Sequence, residues 1–103
     1  MANIVQYISY RDEKWPVRIS YYALKKFQEE TGKDIDELDR DLTLLEPLLW
    51  YALIAGHQAE KKPMTLKRED MEFILDESLD EFNLAMLSFF PTASGDASSD
   101  KKK

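Results

Sequence analysis

A chain of 103 residues with no cysteine has room for one domain and none for disulfides, thiolate zinc sites or a cysteine nucleophile. Its net charge of −6 is repelled by nucleic-acid phosphates and by anionic membrane surfaces, and no basic stripe reverses this. A hydrophobic content of 44% suits a packed globule rather than a disordered polymer.

Met1 to Ile4 lacks a basic region followed by an apolar run, so no signal peptide is expected. Residues 3–10 are rich in Ile, Val and Tyr without a helical period, and read as a strand. Arg11-Asp12-Glu13-Lys14 reads as a polar turn. Trp15 to Ser20 alternates Trp15, Val17 and Ile19 with polar positions and reads as the returning strand. Pro16 cannot donate to a ladder and belongs at an edge or a strand start.

Ser20 is positioned to cap a helix over 21–31, and Gly32 to end it in a left-handed conformation. Asp34 to Asp41 is acidic, with room for one helical turn around Ile35 and Leu38. A second helix is predicted over 44–60, where Thr43 and Glu46 have capping-box spacing and Pro47 falls in the first turn. Leu48 to Gly56 is apolar nearly all round, which marks a central core helix, but it is far too short to span a bilayer.

Lys61-Lys62-Pro63 breaks the chain. Thr65 then caps a predicted helix over 66–77, with Leu66, Phe73 and Ile74 facing inward. Ser78 and Glu81 again have capping-box spacing, which predicts a fourth helix over 79–90, stopped by Pro91. Residues 92–103 are small, polar and charged, and are expected to be disordered. The expected architecture is α+β and mostly α: one globular domain over 1–91, a hairpin over 3–20, a bundle of about four helices and a tail.

No catalytic constellation emerges. His57 is the one histidine, with Glu60 three residues on. It reads as a helix C-terminal residue, favourable there when charged. The acidic run from Asp34 fails the calcium-loop pattern, with Asp39 at the glycine position and Leu45 at the glutamate position. Gly32, Gly56 and Gly95 are isolated and build no phosphate loop. Neither an enzyme, nor a metal, nor a cofactor is expected.

What remains is apolar surface. In the last helix Leu79, Phe82, Met86 and Phe89 or Phe90 follow one face, whereas Leu84 and Leu87 point away from it. In the first strand Ile4, Ile8 and Tyr10 share one side, and Val5 and Tyr7 share the other. Either further core or a partner covers the surplus, and an exposed strand edge is open to another chain's strand.

The segment Val17 to Gly32, ending Glu29-Glu30-Thr31-Gly32, then the apolar Leu48 to Gly56 helix, then Met64 to Pro91 together resemble the tail assembly chaperones of long-tailed bacteriophages. The resemblance implies a morphogenesis factor in the host bacterial cytoplasm. It would bind the tape measure protein, keep it in solution and recruit tail tube subunits. It also implies a longer frameshifted form, which the run Lys101 to Lys103 fits through an A-rich slippery stretch.

On this reading Tyr7, Trp15, Leu84, Leu87, Phe89 and Phe90 are the partner-binding residues, and the oligomeric state is open. The rival readings are an acidic inhibitor or DNA mimic using Asp34 to Asp41 and Glu69 to Glu81, and a small adaptor of the virion neck or tail.

Overall fold

The computed structural model describes residues 5–89, apart from the side chains of Asp39, Ser88 and Phe89. Strand β1 (Gln6–Tyr10) pairs antiparallel with β2 (Glu13–Val17), placing Ile8 opposite Trp15 and Tyr10 opposite Glu13. The turn is shorter than the sequence suggests. Glu13 and Lys14 pair with Tyr10 and Ser9, leaving only Arg11 and Asp12, with φ of 54° and 63°. Two consecutive left-handed residues define a type I′ hairpin, whose twist matches that of the strands.

Ile8, Tyr10 and Val17 are buried on the inner face of the hairpin, with Trp15 half-buried beside them. In a two-residue hairpin the pair flanking the turn, and every second pair after it, exchange hydrogen bonds. Tyr7 opposite Pro16 and Ser9 opposite Lys14 are therefore the non-bonded pairs. Pro16 thus loses no ladder bond.

Three helices follow: α1 (Tyr21–Thr31), α2 (Leu45–Glu60) and α3 (Asp70–Phe89). The α1 boundaries match the sequence reading. Ser20 Oγ accepts from Ala23 N at 3.4 Å, and Gly32, at φ 71°, donates to Gln28 O at 2.8 Å. Two short 3₁₀ turns, Ile35–Asp39 and Leu42–Leu44, occupy the acidic stretch, with Ile35 and Leu38 packed against the core. Thr43 does not cap α2, which starts after Leu44 without a side-chain cap; Asp41 instead caps the second 3₁₀ turn, its Oδ1 accepting from Thr43 N at 3.1 Å and from Thr43 Oγ1 at 2.5 Å.

α2 is the centre of the molecule. Leu48, Leu49, Ala52 and Leu53 are fully buried, and the helix packs on α1, β2 and α3. Burying each of these leucines contributes about 1.5–3 kcal/mol of transfer free energy. At Gly56 the backbone of β2 approaches so closely that a Cβ would fall 2.5 Å from Pro16 C and 2.7 Å from Val17 N. Lys61 ends the helix in a left-handed conformation, at φ 59°.

The third and fourth predicted helices run together as α3, and the division that the sequence places at Ser78 is marked by a kink. α3 starts at Asp70 rather than Leu66, because Leu66 turns into the core and Asp70 Oδ2 accepts from Lys67 N at 2.8 Å. It runs on through Ser78, whose φ of −132° and ψ of 30° are non-helical and kink the helix. The Ser78 hydroxyl does not cap a new helix; it donates to the carbonyl of Ser9 in β1. Met71, Ile74, Ser78, Phe82 and Ala85, spaced 3-4-4-3, form one inner face across the kink. Phe73, expected inside, lies outside that phase and is 58% exposed.

Candidate docking surface

α3 carries a second stripe with the same spacing, offset by two residues from the buried one: Phe73, Asp76, Asp80, Leu84 and Leu87. Two residues turn a helix by about 200°, so this stripe faces away from the core. All five residues are exposed, Leu84 at 65% and Leu87 at 51%. The outward direction read from sequence for Leu84 and Leu87 therefore matches the fold. The stripe thus has apolar ends and an acidic middle, and it contributes nothing to the core.

The other predicted partner residues fall elsewhere. Tyr7 is 48% exposed on the outer face of the hairpin, and its hydroxyl donates to Glu60 at the end of α2. That bond holds the Glu60 carboxyl below its ordinary range and pushes the Tyr7 phenol up. Trp15 is half-buried: its Nε1 donates to Tyr10 O at 3.0 Å, and its ring lies 5.9 Å from that of His57. The side chain of Phe89, the whole of Phe90, Asn3 and Ile4 at the start of the strand, and the predicted tail lie outside the described residues. Phe73 was placed inward because Leu66, seven residues earlier, was taken as part of the same helix, which starts only at Asp70. The phase of Met71, Ile74 and Phe82 puts Phe73 outside.

Both edges of the hairpin are occupied by helices. On the β1 edge, Glu81 accepts from Ser9 N at 2.5 Å and from Ser9 Oγ at 3.2 Å, while Ser78 donates to Ser9 O. On the β2 edge, Arg18 N donates to Ala52 O at 3.0 Å and Gly56 abuts Pro16. The strand-addition route that the sequence left open is obstructed at these positions, which leaves the outer face of α3 as the principal candidate.

His57 lies in the last turn of α2, as the sequence reading places it, but it is buried. It is 4% exposed, and its Nδ1 donates to Leu53 O at 2.7 Å. Two shallow clefts flank α3. One is lined by Tyr10, Arg11, Phe73, Asp76 and Glu77, and the other by Ser9 and residues 76–81; neither includes His57 or Glu60. Among the described residues, no group of three or more His, Asp or Glu side chains is arranged to hold a metal ion. No helix among them is long and apolar enough to cross a membrane.

One polar network joins three elements on the far side of α2. Arg68 pairs with Glu30 of α1, and Tyr51 of α2 donates to Glu30 at 2.9 Å. The Arg68 hydrogen bond holds the Glu30 carboxyl below its ordinary range. Burial, followed by the bond to Glu30, raises the Tyr51 phenol. These bonds fix the loop that delivers the chain to α3. Comparison with protein-family models, with curated proteins and with solved structures gives no significant match for this chain.

Proposed function

We propose that the protein is a tail assembly chaperone of a long-tailed bacteriophage. It would bind the tape measure protein through the outer face of α3, keep it in solution in the host cytoplasm and recruit tail tube subunits. The observation that supports this most is the exposure of Leu84 and Leu87 on a helix whose opposite face is fully packed. Two large aliphatic side chains held in water serve no core, and a partner's apolar face would cover them. The net charge of −6 keeps a loaded complex dispersed.

The test is co-expression with the tape measure protein of the same phage. Wild-type protein should hold it in the soluble fraction, and the double variant Leu84→Asp, Leu87→Asp should not. Equal solubility with both would overturn the reading.

A second reading, an acidic inhibitor or DNA mimic, is favoured by five exposed carboxylates on and just before α3: Glu69, Glu72, Asp76, Glu77 and Asp80. Partner binding that collapses with added salt and ignores Leu84 and Leu87 would favour that reading over the chaperone.

A further inference from the structure

We infer that the outer face of α3 is built for one amphipathic helix, apolar at both ends of its contact stripe and basic in the middle. The inference rests on the docking role proposed above and adds the chemistry of what docks. From Phe73 to Leu87 the stripe covers fourteen residue steps, or ~21 Å at about 1.5 Å each. Phe73 stands at one end and Leu84 and Leu87 at the other, all exposed. Between them lie Asp76, Glu77 and Asp80. Among the described residues none of these three carboxylates has an ion-pair partner within 4.0 Å.

The 3-4-4-3 spacing is the register in which a partner helix lays its own i, i+3, i+4 and i+7 positions along a surface. The charge then decides which helix. A second copy of this chain, packed antiparallel over the whole stripe, would set Asp80 against Asp80 and Asp76, unpaired, against Leu84. A parallel pair would set all three carboxylates against the same three. Like charges face to face at an interface are repulsive, so self-association is disfavoured. An acidic or wholly apolar helix would bury these carboxylates unpaired, which is costly. A helix with lysine or arginine at its centre and aliphatic residues at both ends satisfies the whole stripe. Beside Phe73, the Arg11 guanidinium lies over the Tyr10 ring, 4.9 Å from its centroid, in the cleft that Asp76 and Glu77 line.

The test uses the full chain and three synthetic helical peptides of about fifteen residues, long enough for the ~21 Å stripe. The first carries leucines at both ends of one face and lysines at its centre. The second replaces those lysines with glutamates, and the third with alanines. Fluorescence anisotropy should show the lysine peptide binding at least about tenfold more tightly than either control, a factor worth about 1.4 kcal/mol. The preference should shrink as salt is added. The triple variant Asp76→Lys, Glu77→Lys, Asp80→Lys should reverse it in favour of the glutamate peptide, while circular dichroism confirms the unchanged fold. Equal binding of the three peptides, or an unreversed preference in the variant, overturns the inference.

The two proposals fail separately. Loss of tape measure solubility in the leucine variant, combined with indifference to the lysines, would leave the chaperone and remove the basic helix. A lysine preference without any effect on tape measure solubility would do the opposite.

Discussion

The carboxylate of Glu81 in α3 clasps the backbone of Ser9 in β1, accepting from its N–H at 2.5 Å and from its hydroxyl at 3.2 Å. Ser78, one helical turn earlier, takes the carbonyl of the same residue. Ser9 lies at a non-bonded position of the hairpin, so its N–H and C=O point away from β2 and need an outside partner. The helix supplies both. This clasp orients α3 on the hairpin and so determines which side of the helix is left to solvent.

Replacing Glu81 by Ala should therefore destabilise the fold by about 1–2 kcal/mol, and Ser78→Ala by about 1 kcal/mol, read as shifts in the urea midpoint. The double variant should cost less than the sum, since both side chains hold one residue. Strict additivity would show that the two bonds act independently.

Sequence periodicity located the central helix, the caps of α1 and the outward leucines, because each depends on residues within one or two turns of each other. The spacing Ser78-x-x-Glu81 was equally visible and was misassigned. Its signal is that of a capping box, but its bonds go to a residue about seventy positions earlier. No local pattern distinguishes a serine that starts a helix from one that grips a strand across the core. The division read at Ser78 survives as a kink in α3, whereas the inward reading of Phe73 fails because Leu66, its phase partner, precedes the helix. Likewise, Pro16 and Gly56 read separately as an edge proline and an isolated glycine. Only their contact explains why Gly56 lacks a Cβ.

Gly56 tests that contact. A methyl group there would press on the Pro16 carbonyl and the Val17 amide, which are backbone and cannot rotate aside. Gly56→Ala should cost about 1–3 kcal/mol, despite the better helix propensity of alanine. The thermal midpoint is the readout. A stabilised variant would mean that α2 and β2 are further apart than described.

The turn offers a gain. Arg11 and Asp12 both adopt positive φ, which costs side-chain-bearing residues energy that glycine or asparagine avoids. Arg11→Asn with Asp12→Gly should stabilise the protein by about 1 kcal/mol while leaving the hairpin register unchanged. Urea unfolding of the pair against wild type decides it.

Acid should loosen the link between α1 and α3. Arg68 lowers the Glu30 carboxyl in the folded protein, so the pair's contribution is fully present above the unfolded glutamate value of about 4.3. It is lost as the pH falls through the lower folded value. Both side chains are more than a third exposed or close to it, so the contribution is about 0.5 kcal/mol. Glu30→Gln should flatten the acid limb of stability against pH by that amount and leave the neutral limb parallel to wild type.

The most direct test of the account is to see what a bound partner covers. Hydroxyl-radical footprinting of the protein, alone and with the tape measure protein, reads side-chain accessibility residue by residue. Labelling at Phe73, Leu84 and Leu87 should drop on binding, while Tyr21 and Leu42, also exposed but on other elements, should stay unchanged. Protection at Tyr21 and Leu42 with Leu84 and Leu87 still fully labelled would contradict a docking face on α3.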